Sequence, residues 1–237
     1  MVKGKVRGIA LWAITIILLF VIFMEQAQAT EDNKGRERLA FLLGGSFGFG
    51  FDKAKANGEE VINASAVGIG LSVGLEKTLY SGWFGSVSGE IKGNLGTAYV
   101  AAIPMEEKKN LIYESGESNI KLKIGYKMDD PIGGEGSDFG IYGIIGVSRI
   151  ETTIDGTFYS YTYNDYFILN DTQKATSPIF GIGFLGEHIY EIIGFRVFTE
   201  ITYQKYKMFD FTDDYSGNVI KADFGAVKVD VGIAITF

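Results

Sequence analysis

Gly181-Ile-Gly183-Phe-Leu-Gly186 has the glycine spacing of a dinucleotide-binding turn. That chemistry needs a strand to end at the glycines and a helix N-terminus to receive the pyrophosphate. Here the glycines fall inside an alternating stretch, and nothing helical or suitably acidic follows, so they read as small residues facing the interior of the fold. His188 is the single histidine and the one candidate general base. It falls at a short turn without an evident Ser or Asp partner, which is the setting of a solvated imidazole. The absence of Cys excludes disulfide scaffolds, zinc knuckles, iron–sulfur clusters and thiol catalysis. Asp210, Asp213, Asp214 and Gly217 crowd one stretch, but their spacing is not that of a calcium-binding hand, and they read as a solvated acidic loop. No catalytic, cofactor-binding or metal-binding residue is expected, and the chain is not expected to be an enzyme.

Tyr159, Tyr161, Tyr163 and Tyr166 lie together beside Phe167, with Phe209, Phe211 and Tyr215 farther on. Aromatics near strand ends form the interfacial girdle of a membrane barrel. Farther out on a loop they suit contact with a partner, because Tyr buries much area at low entropy cost. Girdle and loop packing rank first here. The four tyrosines are also the candidate contact residues for an extracellular ligand or host surface.

The elements that would position these residues begin after an address. Lys3, Lys5 and Arg7 precede the apolar run Ile9–Met24, and Ala27-Gln28-Ala29 gives a small-x-small cleavage site. This is the layout of a secretory signal peptide over residues 1–29, and a run of sixteen residues falls short of the ~20 that span a bilayer as a helix. No Cys follows for lipid attachment. The domain expected beyond it covers residues 30–237. It carries 19 Lys and Arg against 28 Asp and Glu, a net charge of −9. So acidic a chain offers no general basic surface for nucleic acid.

That domain reads in steps of two, the mark of strands with unlike faces. Val227, Val229, Val231, Ile233, Ile235 and Phe237 are apolar, with Lys228, Asp230, Gly232, Ala234 and Thr236 between them. The same alternation runs through Phe41–Phe51, Val67–Leu75, Val87–Tyr99, Ile120–Tyr126, Phe180–Phe184 and Phe195–Tyr203. An eighth strand, Phe139–Ile150, is apolar on both faces, which leaves its orientation open. Short breaks near Tyr80–Trp83, Met128–Asp138 and Gly186–Ile193 alternate with longer ones at Asp52–Glu60, Val100–Ser118, Glu151–Ser177 and Met208–Asp223. Short turns on one rim and long loops on the other predict an all-β fold, an eight-stranded antiparallel transmembrane barrel.

Alternation does not tell a membrane barrel from a soluble one with an apolar cavity. The second face decides: it is mostly Gly, Ser and Ala, which suit the crowded lumen of eight strands and not a solvated exterior. Glu90, Lys92, Lys121, Lys123, Arg196, Glu200, Lys228 and Asp230 would then be a lumen charge network, five positive against three negative, since buried ions must pair. A packed polar plug is the expectation for it.

The end of the chain, Asp230-Val-Gly232-Ile-Ala-Ile235-Thr-Phe237, is similar to the assembly signal of small eight-stranded outer-membrane β-barrels of the OmpA/OmpX-like family. The resemblance implies a place in the outer membrane of a Gram-negative bacterial cell, among its lipids. It also implies recognition of Asp230, Gly232, Ile235 and Phe237 by the barrel-assembly machinery during insertion. Ile235 is aliphatic where many members are aromatic, and no appended peptidoglycan-binding domain is expected. The expected role is structural or adhesin-like, through long acidic, Tyr-rich extracellular loops. The alternative is a narrow porin-like channel or a conduit for small or apolar molecules.

Overall fold

The computed structural model describes residues 38–56, 59–79, 81–100, 111–129, 136–160, 165–212 and 219–237. Eight strands make up almost all of them: β1 Arg38–Ala56, β2 Glu59–Thr78, β3 Trp83–Val100, β4 Leu111–Asp129, β5 Ser137–Ser160, β6 Asp165–Tyr190, β7 Ile193–Thr212 and β8 Val219–Thr236. Each pairs antiparallel with the next, and β1 pairs with β8 to close the barrel. Phe41 and Phe237 seal the closure by exchanging two backbone hydrogen bonds of 3.1 and 3.0 Å. Closure removes every free sheet edge at that level, which a lipid environment demands.

The period of two fixes which side chains meet lipid. Outward positions carry Leu43, Phe47, Phe49 and Phe51 on β1, Val67, Ile69 and Leu71 on β2, Ile120, Leu122 and Ile124 on β4, and Val231 and Ile233 on β8, all exposed. On β2 the belt runs Val67–Leu75, on β4 Ile120–Met128 and on β5 Phe139–Val147. Nine residues per strand match the 9–11 that cross a bilayer at a tilt. Trp83 packs edge-on against Tyr126, centroids 5.7 Å apart, at the rim of the short turns, where an aromatic girdle belongs. Polar outward residues take over at the opposite edge: Lys53, Ser65, Ser118, Arg149 and Lys205.

The open orientation of Phe139–Ile150 is settled. Phe139, Ile141, Ile145 and Val147 face outward, while Tyr142, Ile144, Ser148 and Ile150 are buried in the lumen.

The expected long loops are largely strand. β1 runs to Ala56 and β2 resumes at Glu59, so every described residue of Asp52–Glu60 is strand. Glu151–Ser177 is mostly ladder, with register partners from Glu151↔Lys174 out to Ser160↔Asp165. β7 continues to Thr212, and β8 starts at Val219. Backbone pairing satisfies N–H and C=O groups whether or not a bilayer surrounds them, and the Thr, Tyr and Ile of these stretches favour strand. On the other rim β6 reaches Tyr190, so the break Gly186–Ile193 shrinks to Glu191 and Ile192, with Glu191 at φ 54°.

Candidate functional site

All eight sequence-derived lumen charges point inward, and they divide among separate clusters. In the middle of the lumen Lys121 bridges Glu90 at 2.8 Å and Glu200 at 2.9 Å, Lys123 also binds Glu200, and Lys92 binds Asp230. Three cations face three carboxylates. Tyr142 donates its hydroxyl to Glu200 at 3.0 Å, and Ser46 and Asn119 donate to Glu90. Above them Lys228 pairs with Glu117, which also accepts from Asn94 at 2.6 Å.

Toward the short turns lies a cluster that sequence reasoning missed apart from Arg196. Its guanidinium forks onto Glu76 with two bonds of 2.8 Å and reaches Glu187 at 3.0 Å. Lys127 bridges the same two carboxylates at 2.6 Å each. Thr236 donates to Glu187, and partly exposed Arg38 approaches it at 3.8 Å from the water side. Counting Glu76, Glu117, Lys127 and Glu187, the buried network holds six cations and six carboxylates, not five against three. Apart from the partly exposed Arg38, each cluster is neutral by itself, the arrangement that makes buried ions tolerable.

An aromatic layer separates the middle and lower clusters. Phe84, Tyr142, Ile144, Ile179 and Leu185 form an apolar lumen core, with Phe198 against it. Lys123 stands 5.5 Å from the Tyr142 and Phe198 ring centroids, and Lys127 stands 5.3 Å from that of Phe84, so cations cap the rings from both sides.

Three glycine positions make these contacts possible. Gly48 and Gly68 are register partners, and a Cβ on either would collide with the Lys92 side chain on its way from β3 to Asp230 on β8. A Cβ at Gly183 would overlap the Tyr142 ring. The dinucleotide-like motif is therefore a packing feature: Gly181 and Gly183 face the lumen, whereas Gly186, contrary to expectation, faces outward into open space.

The remaining sequence-derived residues are placed as follows. His188 is outward on β6 near the short-turn rim, and it does have a serine partner, Ser137 Oγ, 2.8 Å from its Nδ1. The pairing comes from the β5–β6 register, Ser137↔His188, which spacing along the chain does not reveal. Asp230 is spent on Lys92, Gly232 leaves room for the Phe198 ring, Ile235 faces outward, and Phe237 closes the ladder. Tyr159 and Tyr166 are register partners in β5 and β6, so they belong to strands and not to a loop. Asp210 likewise lies in β7. Tyr161, Tyr163, Asp213, Asp214, Gly217 and the leader 1–29 lie outside the described residues.

No family model matches the chain, and no curated protein matches it. Solved structures similar to it are outer-membrane barrels. The outer membrane protein OprG of Pseudomonas aeruginosa aligns over 87% of this chain and 99% of its own at 15% identity, TM-score 0.48. The outer membrane protease OmpT of Escherichia coli aligns over 88% and 99% at 10% identity, TM-score 0.47. A major outer membrane protein of Thermus thermophilus aligns over 84% and 100% at 13% identity, TM-score 0.46. This chain's own apolar belt, closed ladder and paired lumen are those of a membrane-spanning β-barrel of the bacterial outer-membrane type.

Proposed function

We propose that this outer-membrane barrel neither conducts nor catalyses, and that it meets the surroundings of the cell through the projecting β5–β6 hairpin. The rim that carries Phe237 and the short turns then faces the periplasm, and the last strand, with Gly232, Ile235 and Phe237, serves the assembly machinery. One observation carries the reading. β5 continues from Arg149 to Ser160 and β6 from Asp165 to Thr176 beyond the belt, still in register. Twelve residues of strand reach about 40 Å along their own direction, far more than anchoring requires. Just before its last pair, Ser160↔Asp165, the hairpin has Phe158↔Phe167 and Tyr159↔Tyr166 as facing positions, residue types suited to contact.

The lumen supports the same reading. Glu200, Glu187, Lys92 and Lys228 are nearly inaccessible, and Phe84, Tyr142 and Leu185 pack together inside the barrel, which supports a lumen filled by side chains. Shortening the hairpin by residues 157–168 should abolish adherence of cells displaying the protein while the unboiled barrel still migrates as a compact band. Adherence that survives the trimming refutes the proposal. In planar bilayers the intact protein should be silent. Discrete conductance that changes in K121Q or E90Q would favour the channel alternative.

A further inference from the structure

On the lipid-facing surface, Lys53 of β1 and Lys205 of β7 are both register partners of Gly225 on β8. The two lysines therefore stand at one level, two strand spacings or about 10 Å apart, with no side chain between them. Both are exposed, and each is the first charged outward residue beyond the apolar belt on its strand. In a bilayer this is the depth of the headgroups.

The row beneath is apolar and equally aligned: Phe51, Val227 and Tyr203 share one level, and Phe49, Val229 and Ile201 the next. Small residues on β8 thus run as a shallow trough between Phe47, Phe49 and Phe51 on one side and Ile201 and Tyr203 on the other. Phe47 and Phe49 pack edge to face, centroids 5.1 Å apart, which stiffens that wall. A Cβ on Gly225 would come within 3.5 Å of the Tyr203 hydroxyl, so this hydroxyl borders the notch. One level farther up, Lys55 stands opposite Asp223. Both lysines share the Gly225 level in a chain whose overall charge is −7.

We propose that this notch binds one phosphate-bearing membrane lipid, its phosphate between Lys53 and Lys205 over Gly225 and an acyl chain lying in the Val227–Val229–Val231 trough. A phosphate between two ammonium groups fits a gap of this width with the lysines converging. The trough beneath distinguishes a lipid from a free anion, because only a lipid gains from both rows. On β2, β3 and β4 the corresponding outward positions are Ser65, Thr97 and Ser118, which make no such pair of cations.

The test is native mass spectrometry of the folded protein titrated with phosphatidylglycerol, with phosphatidylcholine and inorganic phosphate as separate arms. The intact protein should retain one phosphatidylglycerol. K53Q/K205Q should weaken retention by about thirtyfold, roughly the effect of two basic residues at a membrane surface. Gly225→Leu should displace the lipid with both lysines kept, and K77Q, at the opposite rim, should retain it. Unchanged retention in K53Q/K205Q overturns the proposal. So does displacement of the lipid by inorganic phosphate alone, which would mark a free-anion site. Unboiled gel mobility confirms that each variant is folded, and the single variant K205Q, with an intermediate loss, decides the matter if the double variant does not fold.

Discussion

Neutrality of the lower lumen cluster makes a quantitative prediction about Glu76 and Arg196. Arg196 and Lys127 face Glu76 and Glu187, with Glu76 1% and Arg196 7% exposed. Glu76→Met leaves two buried cations on one carboxylate. Arg196→Met leaves two carboxylates on Lys127. Either should cost about 3–5 kcal/mol, the penalty for stranding a buried charge, which is a hundredfold or more in the folding equilibrium. The double variant leaves Lys127 on Glu187 at 2.6 Å, a neutral pair beside two apolar side chains. Such replacements are commonly near neutral, so the double variant should fall within about 1 kcal/mol of the parent. The assay is urea unfolding in lipid vesicles, read by circular dichroism and by the mobility of unboiled samples. Single losses that simply add in the double variant, to within about 0.5 kcal/mol, would refute the idea that charge balance holds this cluster together.

Leu71→Arg, at the centre of the β2 belt, should cost about 2–4 kcal/mol in a bilayer, whereas Lys77→Gln at the rim should change little in the same unfolding assay. Gly183→Val should prevent the compact unboiled form by driving into the Tyr142 ring, and Tyr142→Ala in the same chain should restore part of it. Glu151→Gln breaks a pair whose side chains are each half exposed and should shift stability by under ~1 kcal/mol. Glu191→Gly should stabilise by about 1 kcal/mol, because Glu191 holds φ 54° in the β6–β7 turn, a region costly for residues with a Cβ.

The belt was legible because lipid demands apolar residues at every second position, as in Val227–Phe237. The outer lengths of the strands were hidden for the complementary reason. Past Arg149 or Lys205 nothing requires the outward side chain to be apolar, so the alternation stops while the ladder continues. The same blindness cost four network members. Glu117 and Glu187 sit in stretches that read as breaks, yet they share the parity of Asn119 and of Gly183. Lys127 and Glu76 lie on correctly read faces at strand ends, where a rim charge and a lumen charge look alike in sequence. Facing partners such as Lys92 and Asp230, 138 positions apart, depend on the stagger with which the sheet closes, which the period of two does not encode.

Most ion pairs in the lumen join strands that are not neighbours: β3 to β8 through Lys92 and Asp230, β4 to β7 through Lys121 and Glu200, β4 to β8 through Lys228 and Glu117. None of these three can form in an open sheet. A flat, partly inserted intermediate would present most of its six cations and six carboxylates to hydrocarbon without partners, so curling must precede or accompany entry into the bilayer. Ion pairing and ring closure are then one kinetic event. Variants that remove cross-lumen charges should slow insertion most in thick, stiff bilayers, where a half-closed sheet has the least water to lean on.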